Sequence, residues 1–125
     1  MNIHDIVQRQ RQFFRTGATL PVSFRREMLQ RLLDAVNRRE AEIGAALAAD
    51  LGKSGYESFM CETGLVRGEI RWMLRHVGRL ARAHTVPTPL AQFAARSFRK
   101  SAPYGSTLIM SPWNYPVLLT LDPLA

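Results

Sequence analysis

The stretch that decides the fold is Leu108-Ile109-Met110-Ser111-Pro112-Trp113-Asn114-Tyr115-Pro116, near the end of a chain of 125 residues. Its first three residues form a short apolar run, typical of a strand that is buried on both faces of a sheet. Because a residue before proline is disfavoured in the helical region, Tyr115 predicts an extended or turn conformation, whereas Pro116 suits the first turn of a helix. The pattern therefore predicts a strand at 108–110, a tight turn, and a helix that begins at Val117.

The preceding hundred residues show helical periodicity instead. Apolar side chains recur at intervals of three and four, with arginines between them, which predicts amphipathic helices. A pattern of Asn37 followed by Glu40 resembles a cap at the start of the third helix, and Gly52 is expected to close that helix in the left-handed conformation. The predicted helices cover 2–16, 23–36, 37–51 and 58–83.

After the last helix the character of the chain changes twice. Pro87 and Pro89 end the helical pattern, and residues 93–100 alternate weakly, which indicates an exposed strand or arm. Beyond residue 100 the chain carries no Lys or Arg and a single acid, Asp122. We therefore divide it into a helical region at 1–91, an arm strand at 92–101 and a strand-turn-helix unit at 102–125. Such a unit needs a returning strand to bury both of its elements, so the sequence is expected to be incomplete.

Composition excludes several classes of protein. Hydrophobic residues make up 46% and charged residues 22%, which excludes a disordered tail and a collagen-like fibre. Cys61 is the single cysteine, so no internal disulfide can form, and without a charged-then-apolar leader the expected location is cytoplasmic. The uncharged stretch 101–121 is long enough to span a membrane, but its prolines argue against a spanning helix.

The charge is basic, with a net value of +7 and a pI near 10.7. Part of it forms a stripe along the fourth predicted helix, and a stripe of like charges predicts an acidic partner. Nucleic acid is one candidate, but the stripe lacks interleaved aromatic residues, so another polypeptide or a missing part of the chain is favoured. The stripe consists of Arg67, Arg71, Arg75, Arg79 and Arg82.

Asn114 is the sharpest candidate for chemistry. Its amide offers two neutral donors, and Pro112 and Pro116 stiffen the turn that carries it. Donors fixed in advance at such a turn can hold a developing oxyanion. The alternative is an asparagine that serves the turn or caps the next helix, and spacing by itself leaves both open.

Other candidates carry weaker signals. Cys61 lies on a predicted amphipathic helix, which favours ordinary packing over nucleophilic catalysis. The three histidines lack zinc-like spacing, so no metal site is predicted. Gly52-Lys53-Ser54 lacks the upstream glycine and strand of a phosphate-binding loop, and a helix cap followed by a turn is the better interpretation.

Taken together, these motifs resemble one family. Pro103-Tyr104-Gly105, followed by the stretch 108–116, looks like the start of the cofactor-binding domain of the aldehyde dehydrogenase superfamily. Upstream, residues 50–54, followed by Glu57 and Glu62, are similar to the N-terminal part of its class 3-like, fatty-aldehyde-oxidising branch. The resemblance covers all 125 residues, but only about the first quarter of a typical member.

The resemblance implies a fold and a function. The fold class is α/β: an N-terminal helical segment leads into the first strand of a doubly wound dinucleotide-binding domain, which is truncated here. Residues 92–101 are implied to be an arm for oligomerisation, giving a homodimer, and 102–125 to be the start of the NAD(P)-binding domain. In the implied reaction a cysteine thiolate attacks an aldehyde, hydride passes to NAD or NADP, and a glutamate activates the water that releases the acid.

The resemblance also assigns residues. Asn114 matches the asparagine of the oxyanion hole, and Tyr115 matches an aromatic residue near the substrate entrance. In the implied scheme the catalytic cysteine and glutamate lie beyond residue 125, so residues 1–125 are expected to be inactive by themselves. The competing hypotheses are a helical interaction module that uses the arginine stripe and, less favoured, a nucleic-acid-binding protein. The residues that match the cofactor-lining segment are Ile109, Met110, Ser111, Pro112 and Trp113.

Overall fold

The helical body that the sequence predicts is present in the computed structural model, which describes residues 2–125. The helices of the body are α1 (Ile3–Arg15), α2 (Val22–Arg38), α3 (Glu40–Leu51), α4 (Gly55–Ser58) and α5 (Gly64–Leu80). A π-helical turn, Phe59–Thr63, joins α4 to α5 without a break.

Local signals explain several helix ends. The side chain of Asn2 accepts a hydrogen bond from the His4 N–H at 3.1 Å and begins α1. Gly52 ends α3 with a φ of 67°, the left-handed conformation predicted for it. The predicted cap at Asn37 is wrong, because α2 continues to Arg38 and α3 begins directly at Glu40.

The core forms where α2 packs against α5. Val66 and Ile70 of α5 are fully buried, and fully burying side chains of this size contributes about 1.5–3 kcal/mol each. The C-terminal helix α6 (Leu118–Leu121) lies on the same core and confirms the helix predicted after Pro116. The buried core comprises Leu29, Leu33, Val36, Val66, Ile70 and Val77, with Val117, Leu118 and Leu121 packed against it.

The arm contains a strand, as predicted for residues 93–100. Strand β2 (Ser97–Arg99) pairs antiparallel with β1 (His84–Val86), so that His84 lies opposite Arg99 and Val86 opposite Ser97. The two strands form an exposed hairpin beyond the end of α5. One edge of β2 is therefore hydrogen-bonded to β1 of the same chain. The use of the arm in oligomerisation stays a prediction.

The predicted strand at 108–110 is not formed. Leu108 and Met110 are each 82% exposed, and within residues 2–125 no neighbouring strand pairs with this segment. A strand exists through its hydrogen-bonded neighbour, so an apolar run without one stays an extended, exposed segment. Within the same residues, no helix combines the length and the apolar character needed to cross a bilayer.

The π-helical turn depends on Gly64. The Gly64 N–H donates to the carbonyl of Phe59, five residues earlier. A Cβ at position 64 would lie 2.6 Å from that carbonyl oxygen, so the backbone would have to shift to make room for it. Glycine is therefore favoured where the helix takes up its extra residue, and this extra residue sets the direction of the side chains on the turn.

A pair of glycine variants on α5 tests this requirement. Gly64→Ala is expected to lower the free energy of unfolding by about 1–3 kcal/mol, because the methyl group must displace the Phe59 carbonyl. Gly68→Ala is the matched control: nothing lies within 4 Å of its Cβ position, and it should raise that free energy by about 0.5–1 kcal/mol. Urea unfolding followed by circular dichroism measures both, and equal effects of the two variants would contradict the account.

Candidate functional site

Asn114 lies on the turn between the extended segment 108–110 and α6, and its side chain is exposed. The turn is tied internally by Ser111, whose Oγ donates to the carbonyl oxygens of Pro112 at 3.0 Å and Pro116 at 3.3 Å. Pro116 lies in the first helical turn, as predicted, since the Leu119 N–H donates to the Tyr115 carbonyl four residues earlier. The amide of Asn114 is thus presented to solvent from a constrained turn.

Lys53 anchors this turn to the helical body. Its side chain is only 8% exposed, although it follows directly after the cap of α3. The Nζ atom lies 2.5 Å from Glu62 Oε1 and donates to the backbone carbonyl of Asn114 at 2.9 Å. It also lies 4.2 Å from the centroid of the Tyr115 ring. An ammonium has three N–H donors, and three partners surround this one.

Glu62 holds the next part of the chain. It is fully buried on the π-helical turn, and its Oε2 accepts hydrogen bonds from the N–H groups of Val117 and Leu118, both at 2.9 Å. The first N–H groups of a helix have no acceptor within the helix. The carboxylate therefore caps α6 from a different element, 55 and 56 residues away along the chain.

The energetics of this pair favour position over stability. Burying each charge costs several kcal/mol, and the hydrogen bonds to charged groups return about 1.5–3 kcal/mol each, so the two contributions nearly cancel. Removing one partner, however, leaves a bare buried charge at a cost of about 3–5 kcal/mol. The pair thus adds little net stability but penalises any displacement of residues 114–118 heavily.

The predicted site residues are placed as follows. Asn114 and Tyr115 meet at Lys53, whereas the alternative that Asn114 caps the next helix is wrong, because Glu62 accepts the N–H groups that such a cap would bind. Ile109 and Ser111 are half-buried, and Met110, Pro112 and Trp113 are exposed. The cofactor-lining roles of these five residues stay predictions.

Lys53 and Glu62 were not predicted as site residues, yet one of them leaves a signal in the sequence. Glu62 follows Phe59 by three residues and precedes Val66 by four, so it falls on the apolar seam of the predicted helix. A carboxylate at such a position needs a buried partner. Lys53 gives no comparable signal, because a lysine after a helix cap is ordinarily solvated.

One arginine of the stripe, Arg67, has an acidic partner within the chain. Arg67 Nη1 lies 2.9 Å from Glu40 Oε1 and 3.0 Å from Glu40 Oε2, which joins α3 to α5. Arg71, Arg75 and Arg79 are exposed.

Cys61 is half-buried on the π-helical turn. Across residues 2–125, no three His, Cys, Asp or Glu side chains converge as a metal site would require.

A wide apolar groove lies away from Asn114. An open apolar groove of about 1290 Å³ runs between α2, α5 and the C-terminal residues, and its lining includes Leu32, Met73 and Leu124. Asn114 does not line this groove. The amide therefore faces open solvent, and any closed pocket around it requires further protein surface.

Comparisons with known proteins agree on one family. The model of the "Aldehyde dehydrogenase family" matches residues 1–125. Aldehyde dehydrogenase family 3 member A2 of Rattus norvegicus is 41% identical over 118 residues, which is 94% of this chain and 24% of that protein. The 4,4'-diaponeurosporen-aldehyde dehydrogenase of Staphylococcus aureus is 38% identical over 112 residues, which is 90% of this chain and 24% of that protein.

A solved structure gives the same result. The structure described as the substrate-bound state of Staphylococcus aureus AldH superposes with a TM-score of 0.94 at 36% identity, covering 99% of this chain and 27% of that one. This likeness confirms the predicted fold class, a helical segment at the start of an α/β fold. The chain spans about a quarter of the length of the relatives that it matches.

Asp122, which directly follows α6, is expected to make the stability of the fold depend on pH. Burial raises the pKa of its carboxyl above the ordinary value of 3.8, and the nearby Glu69 carboxylate raises it further. Its Oδ1 is buried without a hydrogen-bond partner among residues 2–125. A raised pKa in the folded state means that folding favours the protonated form, so stability is lost as the pH rises through the folded pKa.

Asp122→Asn tests this sign. The variant should unfold at a higher urea concentration than the wild type at pH 7. The difference should vanish as the pH falls below 3.8, where Asp122 is protonated in both the folded and the unfolded protein. Glu69→Gln removes only the smaller cause of the raised pKa of Asp122, so it should raise the urea midpoint by less than Asp122→Asn does. A variant that is less stable than the wild type at pH 7 would show that the carboxylate is favourable in the fold.

Proposed function

This chain belongs to the aldehyde dehydrogenase family, and from that premise we propose that it forms the N-terminal part of an enzyme that oxidises an aldehyde to a carboxylic acid with NAD or NADP. The relatives are about four times as long, so the activity belongs to the whole protein. In this proposal the chain supplies the amide that stabilises the oxyanion, and the remaining sequence supplies the thiolate and the general base.

The observation that carries the proposal is the anchoring of Asn114. When a thiolate adds to an aldehyde, negative charge develops on the carbonyl oxygen. An N–H donor fixed before the reaction stabilises this charge without any cost of reorganisation at that moment. The backbone carbonyl of Asn114 is held by Lys53 at 2.9 Å, and the following helix is held by Glu62, which leaves the exposed amide free to donate.

The segment 109–113 is proposed to line the cofactor. Met110 and Trp113 offer exposed apolar faces, 82% and 84% exposed, and the backbone of 108–110 is not engaged in a ladder within residues 2–125. Exposed apolar faces of this kind can pack against a flat aromatic ring, and Ile109, Ser111 and Pro112 are proposed to line the cofactor beside them. When bound, the cofactor would accept hydride from the substrate carbon. The proposed cofactor is NAD or NADP, and Tyr115 is proposed to border the aldehyde.

An experiment on a chimera tests the proposal. This chain replaces the matching segment of Staphylococcus aureus AldH, to which it superposes with a TM-score of 0.94. When an aldehyde is added, the chimera should form NAD(P)H, which is followed by its absorbance at 340 nm. Asn114→Ala should lower kcat by about 10²- to 10³-fold. Asn37→Ala, at an exposed asparagine on α2, is the control and should leave kcat unchanged.

Two results would contradict the proposal. A chimera that folds with the thermal stability of the host enzyme but shows no aldehyde oxidation would exclude the assigned activity. An active chimera whose kcat is unaffected by Asn114→Ala would exclude Asn114 from the oxyanion site.

The arm hairpin is proposed to join two subunits. β2 exposes Phe98, which is 63% exposed, and the connection between β1 and β2 exposes Leu90 and Phe93. Several large exposed apolar side chains on one segment indicate an interaction surface. The chimera should therefore have the mass of a dimer by light scattering, and Phe98→Asp should shift it towards the monomer. A dimer that is equally stable with Phe98→Asp would place the interface elsewhere.

A further inference from the structure

We propose that Lys53 and Glu62 are positioning residues that set the Asn114 amide for oxyanion stabilisation. The inference rests on the proposed function of Asn114 and adds two residues that do not touch the reacting atoms themselves. They act on the turn from both sides: Lys53 on the backbone of Asn114, and Glu62 on the N–H groups of Val117 and Leu118, where α6 begins.

Lys53 fixes the peptide plane of Asn114. A carbonyl that accepts a hydrogen bond at 2.9 Å from a buried ammonium cannot rotate without losing that bond. The ammonium cannot follow it, because Nζ is held 2.5 Å from Glu62 Oε1 and lies over the Tyr115 ring at 4.2 Å. The side-chain amide projects from the residue whose backbone is fixed in this way.

Glu62 fixes the other end of the turn. Its two oxygens are used separately, Oε1 for the ammonium and Oε2 for the N–H groups of Val117 and Leu118. The carboxylate is fully buried on the π-helical turn, and a Cβ at Gly64 would disturb the carbonyl that this turn uses. Glu62 is therefore rigid with respect to the core, and so is the start of α6.

A second ion pair in the same body provides a contrast. Glu40 and Arg67 also join two helices, and Glu40 accepts a hydrogen bond from Thr63 on the π-helical turn at 3.4 Å, but the pair is partly exposed and its hydrogen bonds go to the helical body and not to residues 111–118. A role in holding helices together would be common to both pairs. A role in positioning Asn114 is open only to Lys53 and Glu62.

The test uses a neutral replacement of the pair. Lys53→Met/Glu62→Gln removes both charges together, so neither is left buried and unpaired. The methionine keeps most of the lysine stem, and the glutamine oxygen can still accept from Val117 and Leu118. The donor to the Asn114 carbonyl is lost. Glu40→Gln/Arg67→Met is the matched control, because it removes an ion pair without touching the turn.

In the chimera, the neutral pair is expected to lower kcat by up to about 10²-fold, the effect of a displacement of about 1 Å. The KM for the aldehyde should stay unchanged, because the oxyanion forms only in the reaction. In the Asn114→Ala background the same two substitutions should lower kcat by less than about twofold, since residues that act through one another are not additive. The control pair should leave kcat unchanged in both backgrounds.

The outcomes separate the two proposals. If Asn114→Ala lowers kcat and the neutral pair lowers it equally in both backgrounds, or in neither, the positioning role is wrong while the role of Asn114 stands. If Asn114→Ala has no effect on kcat, the proposed function of Asn114 is wrong and the inference falls with it.

A measurement on the 125-residue chain is independent of activity. Backbone ¹⁵N order parameters of Asn114 and Tyr115 should fall from about 0.85 to below about 0.6 in the neutral pair, while those of the α5 core stay unchanged. Unchanged order parameters at the turn would contradict the proposal. So would a neutral-pair variant that unfolds, because it would assign Lys53 and Glu62 to stability instead of position.

Discussion

The buried contact between the Lys53 ammonium and the Glu62 carboxylate is the constraint on which the arrangement of the C-terminal segment depends. The helical body would pack without it, because α2 and α5 bury an apolar interface of their own. Residues 108–116 make few such contacts, and several of their apolar side chains are exposed. What ties the turn to the body is therefore largely polar: one bond to the Asn114 carbonyl and two to the first N–H groups of α6.

Each charge reaches this place through a local backbone feature. Gly52 ends α3 in the left-handed conformation, and the chain turns there so that the next residue, Lys53, points into the body. Gly64 allows the π-helical turn, which brings Glu62 onto the buried side of the helix. Two glycines thus set the direction of two charged side chains, and the charges in turn set the position of a catalytic candidate. The cost of burying the charges nearly cancels their attraction. The main effect of the pair is therefore to hold the turn in place, and it adds little to the free energy of unfolding.

The sequence predicted the elements better than the contacts between them. The helical periodicity, the Gly52 cap and the helix after Pro116 depend on local conformational preferences, and all three are present in the structure. The strand at 108–110 depends on a neighbouring strand, and the periodicity of three apolar residues contains no information about whether that neighbour is present. Asn114 could be chosen as a candidate from the two prolines that flank it, but the spacing left its role open, and the oxyanion role came from the family resemblance and stays a prediction. Lys53 could not be chosen in this way, since its burial follows from long-range packing that no short pattern encodes, and Glu62 was detectable only as a charge on an apolar seam.

Hydrogen exchange of the Val117 and Leu118 amides tests the central claim most directly. Val117 directly precedes α6 and Leu118 is its first residue, so both N–H groups lack helical acceptors. The account predicts protection close to that of the α5 core because Glu62 accepts them. The amides of Ser23 and Phe24 are the internal reference, because they occupy the first turn of α2, which has no side-chain cap. Exchange of Val117 and Leu118 as fast as that of Ser23 and Phe24 would contradict the account.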